Sequence, residues 1–123
     1  MAATRVQRDL AAGQRPDAAF DLLRDAIGLT EADFAKATGA SRRTIRRWAS
    51  DGPPLNSSYA ERLDDLRAIV SMLAPALPEH VILGWLRARN TLLDYERPLD
   101  TLGRAEFERV LSAADALLSG SFV

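Results

Sequence analysis

The chain has 123 residues, 47% of them apolar and 27% charged, and 16 Lys and Arg against 17 Asp and Glu give a net charge of −1. That length suits one compact unit, or two small lobes that share a core. The absence of cysteine and the single histidine, His80, exclude a disulfide frame, a thiolate metal site and a histidine metal cage, and no apolar run reaches the length of a membrane span.

Residues Met1 to Pro16 alternate Ala with Arg, Gln and Asp and lack the continuous apolar stretch of a secretion signal. A frayed tail over 1–16 and a cytoplasmic location are expected. Phe20, Leu23 and Ile27 then recur at helical spacing, and Gly28 stops that helix. Thr30 opens a second helix, with Asp33 three residues on as the partner of a capping box. This helix runs through Phe34 to Thr38 and ends at Gly39. Ser41 caps a third, Arg42-Arg43-Thr44-Ile45-Arg46-Arg47-Trp48. Ile45 and Trp48 share one face of it, and the four arginines project on the other.

Asp51-Gly52-Pro53-Pro54 is a break. Ser58 with Glu61 reads as a second capping box, opening a helix striped by Tyr59, Leu63, Leu66, Val70 and Leu73 and ending near Pro75. Such a stripe can pack inside the domain or against a second copy. Pro78 opens the next helix, with Val81, Ile82, Trp85 and Leu86. Residues Asn90 to Leu102, with Arg97-Pro98 among them, are less regular. A final helix, roughly Ala105 to Ser119, carries Phe107, Val110, Leu111, Ala114, Leu117 and Leu118 and is closed by Gly120, leaving Ser121-Phe122-Val123 as a short tail. No long alternation of apolar and polar residues signals a strand. The expected fold is all-α: a helix-turn-helix bundle over 17–54 continues into a small helical domain over 55–123.

Charge supports that division. Residues 1–60 carry nine basic against seven acidic residues (+2), and 61–123 carry seven against ten (−3). The positive excess sits mainly in the arginine helix. Ala35 lies four residues before Gly39, Ile45 six after it, and Trp48 three beyond that. A small residue permits close helix approach, a glycine makes the sharp turn, and two apolar residues seat the last helix. This pattern resembles the Xre-type helix-turn-helix of bacterial repressors. Ser41, Arg42, Arg43, Arg46 and Arg47 are then the candidate DNA-contacting residues. Arginine reads guanine through two groove acceptors or holds phosphate without sequence choice.

The second half shows no catalytic logic. There is no glycine-rich phosphate loop or metal-ligand cluster, and Asp64 and Asp65 are adjacent on a helix and point apart, so no enzyme, cofactor or metal is expected. Trp48 and Trp85 read as core, and His80 as a solvated side chain. As an ordered set, however, Trp85-Leu86, Asn90, Leu92-Leu93, Arg97-Pro98-Leu99, Glu106-Phe107-x-Arg109-Val110-Leu111 and Gly120-x-Phe122-Val123 resemble the toxin-binding domain of the Xre/MbcA/ParS antitoxin family. Ala40-Ser41-x-Arg43-x-x-x-Arg47-Trp48 is similar to the helix-turn-helix segment of that family. The likeness covers about residues 20–123 and is strongest to the MbcA-like branch, particularly over the final twenty residues.

The resemblance implies an antitoxin that neutralises a RES-domain toxin, an NAD-degrading enzyme, by covering its active-site cleft, and that represses its own operon. It implies toxin contacts in the segment Asn90 to Pro98 and in the tail Gly120 to Val123, with Asn90, Leu92, Arg97, Pro98, Phe122 and Val123 as the named residues. Its implied partners are the toxin and operator DNA, in a homodimer or a hetero-oligomer with the toxin. One departure is plain: the stretch before Arg-Pro tends to be basic in the family, whereas here Leu93-Asp94-Tyr95-Glu96 brings two acids. The alternative reading is a stand-alone dimeric repressor whose dimer seam is the stripe that starts at Tyr59.

Overall fold

The computed structural model describes residues 20–54 and 57–120, so the expected tail over 1–16 and the terminal Phe122 and Val123 lie outside the described residues. Among the described residues every regular element is helical. A helical entry at Phe20 widens into a π-helical turn, α1 (Leu23–Ile27). It is followed by α2 (Glu31–Thr38), α3 (Arg42–Asp51), α4 (Ser58–Leu73), α5 (Glu79–Arg87), a 3-10 turn (Thr91–Leu93), α6 (Pro98–Gly103) and α7 (Phe107–Ser119). None of these helices is long and apolar enough to cross a membrane.

The first three helices form where their caps require. Gly28 takes a left-handed φ of 93° and donates its N–H to the Leu23 carbonyl, five residues back, which makes the closing turn of α1 wide. Thr30 and Asp33 exchange both bonds of a capping box at the start of α2. Gly39, with φ 81°, makes the turn between α2 and α3. Thr38 braces that turn: its hydroxyl donates to the Phe34 carbonyl and accepts from the Ala40 N–H. Ser41 caps α3 by accepting from the Thr44 N–H at 3.1 Å.

Two expected boundaries move. The cap of α4 is Ser57, which accepts from the Ala60 N–H; Ser58 is already helical, and no box with Glu61 forms. The Ser57 hydroxyl also donates to the Pro54 carbonyl, a second bond that ties the helix start to the preceding turn. The final helix begins at Phe107 rather than Ala105, because Ala105 has a φ of 63° and cannot continue a right-handed helix. The stretch expected to be irregular contains α6, a short helix with Pro98 in its first turn.

One hydrophobic cluster runs from Phe20 to Ala114. Its aromatic end packs Phe20 against Phe34 with the rings tilted and sets Trp48 edge-on to Phe20, with Tyr59 beyond. α3 is thereby fixed from behind by Ile45 and Trp48. On α4, Leu63, Leu66, Ile69, Val70 and Leu73 are all fully buried. The stripe therefore packs inside its own chain, and the dimer seam of the alternative reading is not available on that face. Trp85 packs against the same core, as expected, whereas Leu118 and Val81 are partly exposed.

The first three helices are joined to the rest chiefly through α2 and α6. Their crossing is closest at Gly103, where a Cβ would stand 2.0 Å from the Lys36 carbonyl oxygen.

Candidate functional site

Two surfaces carry the described side chains singled out by the sequence. The first is the outer face of α3. Arg42, Arg43, Arg46 and Arg47 are all exposed, as is the capping Ser41, while Ile45 and Trp48 are buried beneath them. No acidic residue lies in the first turn of α3, where arginines carry no internal counter-charge. The counter-charge comes from α2. Glu31 accepts a hydrogen bond from Arg46 Nε at 3.1 Å and lies 3.8 Å from Arg42 Nη2. Arg43 and Arg47 have no side-chain partner among the described residues. The face is a short, rigidly backed helix with four outward cations, the dimensions and sign that a DNA groove accepts.

The second surface is the turn after α5. Asn90 organises it. Its side-chain oxygen accepts from the Leu92 N–H, its backbone N–H donates to Glu96, and its carbonyl accepts from Leu93 and Tyr95. Glu96 N–H returns to the Leu93 carbonyl, and the two residues between, Asp94 and Tyr95, both have left-handed φ, 56° and 67°. Neither is glycine, so the turn holds a conformation that L-residues rarely adopt. Ion pairs clamp it from outside. Asp94 meets Arg109 of α7 at 3.0 Å, and Arg104 bridges Glu96 and Glu106. The bonds from Arg104 hold both of those carboxyls below the usual range. Arg89 donates to the Tyr95 carbonyl.

On this clamped turn two apolar side chains face outward, Leu92 at 50% exposure and Tyr95 at 66%. The other named residues are placed differently. Asn90 is only 4% exposed and spends its side chain on the turn. Pro98 is buried at the start of α6. Arg97 is half-buried, caps α6 through its backbone, and lies 3.7 Å from Asp100. Phe122 and Val123 lie outside the described residues. Tyr95 was not singled out by the sequence; the signal was there only as an aromatic between two acids in a short irregular run.

Asp33 links the start of α2 to the end of α5. Besides capping α2, this carboxylate receives two bonds from Arg87 at the end of α5, at 2.6 and 3.1 Å. Burial alone raises the Asp33 pKa, but the bonds from Arg87 and from the Thr30 N–H and hydroxyl outweigh it and hold the carboxyl below its usual range. A carboxyl depressed in the folded state binds its proton first in the unfolded chain. Its contribution is therefore present above the unfolded pKa and lost as pH falls through the folded value. Asp33→Asn is expected to lower stability at pH 7 by about 1–2 kcal/mol. Thermal melts at pH 7, 5, 4 and 3 check this, because the gap from the unaltered chain should close toward the acid end. A gap that is constant with pH would contradict the assignment.

Among the described residues no group of three or more His, Asp or Glu is placed to hold a metal ion. The family model described as the antitoxin Xre-like helix-turn-helix domain matches residues 3–67. A Mycobacterium tuberculosis protein described as a probable mycobacterial cidal antitoxin is 34% identical over 97 residues, 79% of this chain and 83% of its own length. The mycobacterial cidal antitoxin MbcA of Mycobacterium bovis is 31% identical over 79% of this chain and 86% of its own. Among solved structures, a chain of the M. tuberculosis MbcT–MbcA toxin–antitoxin complex superposes with a TM-score of 0.70 at 28% identity, covering 87% of this chain and 96% of that one.

Proposed function

The chain belongs to the family of Xre-like helix-turn-helix antitoxins, and from that premise we propose that it neutralises a RES-domain, NAD-degrading toxin by covering the toxin's active site and represses its own operon through α3. The observation that carries the proposal is the extent of the likeness to the chain from the MbcT–MbcA complex, which covers 87% of this chain and so reaches well beyond the helix-turn-helix. Inhibition on this reading is steric, with no chemistry by this chain.

Leu92 and Tyr95 are the turn's contact residues toward the toxin. A tyrosine offers a large amphipathic surface at low entropic cost, and the clamp has already fixed its backbone. Asn90, Arg97 and Pro98 act by shaping the segment that presents them. The tail Gly120 to Val123 is the second segment assigned to the toxin. On α3, Ser41, Arg42, Arg43, Arg46 and Arg47 face the operator. A single helix-turn-helix binds weakly, and a two-fold arrangement, reached through the toxin complex or through self-association away from α4, places two such helices on successive turns of DNA.

The two faces are separable, which gives the test. The chain in which Arg42, Arg43, Arg46 and Arg47 are all alanine is expected to lose the mobility shift of DNA from upstream of its own coding sequence. It should still rescue growth when co-expressed with the protein from the adjacent reading frame. Loss of rescue together with retained DNA binding would contradict the assignment of the faces.

A further inference from the structure

The four arginines of α3 are not equivalent, and one carboxylate makes the difference. Glu31 takes a hydrogen bond from Arg46 through Nε alone. Its 3.8 Å distance to Arg42 is beyond hydrogen-bond length. Nε is the inner nitrogen of the guanidinium. A bond there leaves the two terminal amino groups as a planar, parallel pair of donors, the arrangement that matches O6 and N7 of guanine. Because the carboxylate belongs to a different helix, it limits rotation of the Arg46 fork relative to the face of α3 while the side chain stays 64% exposed. Arg43 and Arg47 have no such restraint among the described residues. Unrestrained, flexible cations suit phosphates, which lie along the groove edges and need no fixed donor geometry.

We propose that Arg46 is the base-reading arginine of α3 with Glu31 as its positioning residue, while Arg43 and Arg47 serve the phosphate backbone; this rests on the reading of α3 as a DNA-contacting helix. An exposed ion pair of this kind adds little to stability. Its consequence is in selectivity, and it has an opposite sign on total affinity. A carboxylate beside DNA repels phosphate, so removing it helps any DNA bind while it frees the Arg46 fork to wander. A purely structural role for Glu31 would move both kinds of binding together.

The test uses the full chain and four variants: Arg46→Lys, Arg47→Ala, Glu31→Gln and Glu31→Ala. A randomised duplex library is enriched on the unaltered chain. Anisotropy titrations then compare the enriched duplex with a mixed-sequence duplex of equal length across a salt series. The unaltered chain should enrich a motif containing guanine. Arg46→Lys should lose the preference for one guanine by about tenfold, more than it loses on mixed sequence. Arg47→Ala should weaken both duplexes alike and reduce the slope of log affinity against log salt by about 0.9. Both Glu31 variants should bind mixed-sequence DNA more tightly and yet discriminate severalfold less. An unchanged ratio between duplexes in the Glu31 variants would overturn the proposal, as would loss of the guanine preference in Arg47→Ala but not in Arg46→Lys. Salt-dependent binding with no enriched motif would overturn the base-reading role and leave α3 as a DNA-contacting helix. No binding to either duplex by any of the five chains would remove the underlying reading as well.

Discussion

Gly103→Ala is expected to destabilise the chain by about 3 kcal/mol or more, while Gly84→Ala, the same chemical change, is expected to stabilise it by up to ~1 kcal/mol. The difference lies in what each new methyl meets. At Gly84, inside α5, nothing stands within 4 Å of the added Cβ, so the helix gains alanine's better propensity without a clash. At Gly103 the Cβ would lie 2.0 Å from the Lys36 carbonyl oxygen and 3.2 Å from its carbon. Both atoms are backbone, so no rotamer change relieves the contact, and α2 and α6 must move apart. Ala37 on α2 and Leu99 and Leu102 on α6 are buried. Gly103 has no left-handed φ to justify a glycine, so the requirement is one of close approach alone. Urea melts check the pair: the two midpoints should shift in opposite directions. Co-melting of Gly103→Ala with the unaltered chain would show that the helices separate at little cost.

The double change Leu92→Asp with Tyr95→Asp is expected to weaken the hold on the toxin by ~100-fold or more while the fold persists. Both side chains point to solvent, so their replacement removes no core contact. On the proposed reading they enter the toxin interface, where truncating a buried aromatic typically costs ~2–4 kcal/mol and a buried unpaired carboxylate adds to that. The clamp around them, Asn90 with the Arg104 and Arg109 ion pairs, remains intact in this variant. Co-purification with tagged toxin and thermal melts of the isolated chain measure the two properties separately. Full retention of the complex by a folded double variant would remove the turn from the interface.

Local signals in the sequence were reliable where the chemistry is local. The Thr30–Asp33 box, the Gly39 turn, the Ser41 cap and the burial of Ile45 and Trp48 all depend on residues within a few positions of one another, and they appear where spacing puts them. Ser57 replaces Ser58 as a cap: two adjacent serines carry the same local signal, and Ser57 is the one bonded to both the Ala60 N–H and the Pro54 carbonyl. The direction of the α4 stripe was undecidable from periodicity, since an inward face and a self-association seam have the same pattern. What spacing could not show are the contacts across the chain. Asp33 reads as a cap and is also the partner of Arg87, 54 residues on. Glu31 reads as an ordinary first-turn acid and restrains Arg46, 15 residues on. Gly103 carries no sequence mark of its closeness to α2. In the left-handed pair Asp94-Tyr95 the aspartate tolerates that conformation, but the tyrosine gives no local sign of it. At Tyr95 it is held by the bonds around the turn rather than by intrinsic preference.

The most direct measurement is NAD consumption by the purified protein of the adjacent reading frame, titrated with this chain. Consumption in its absence, falling in proportion to added chain and reaching zero at a fixed small ratio, is the predicted result. Undiminished consumption at excess chain, or a partner that leaves NAD untouched, would contradict the account.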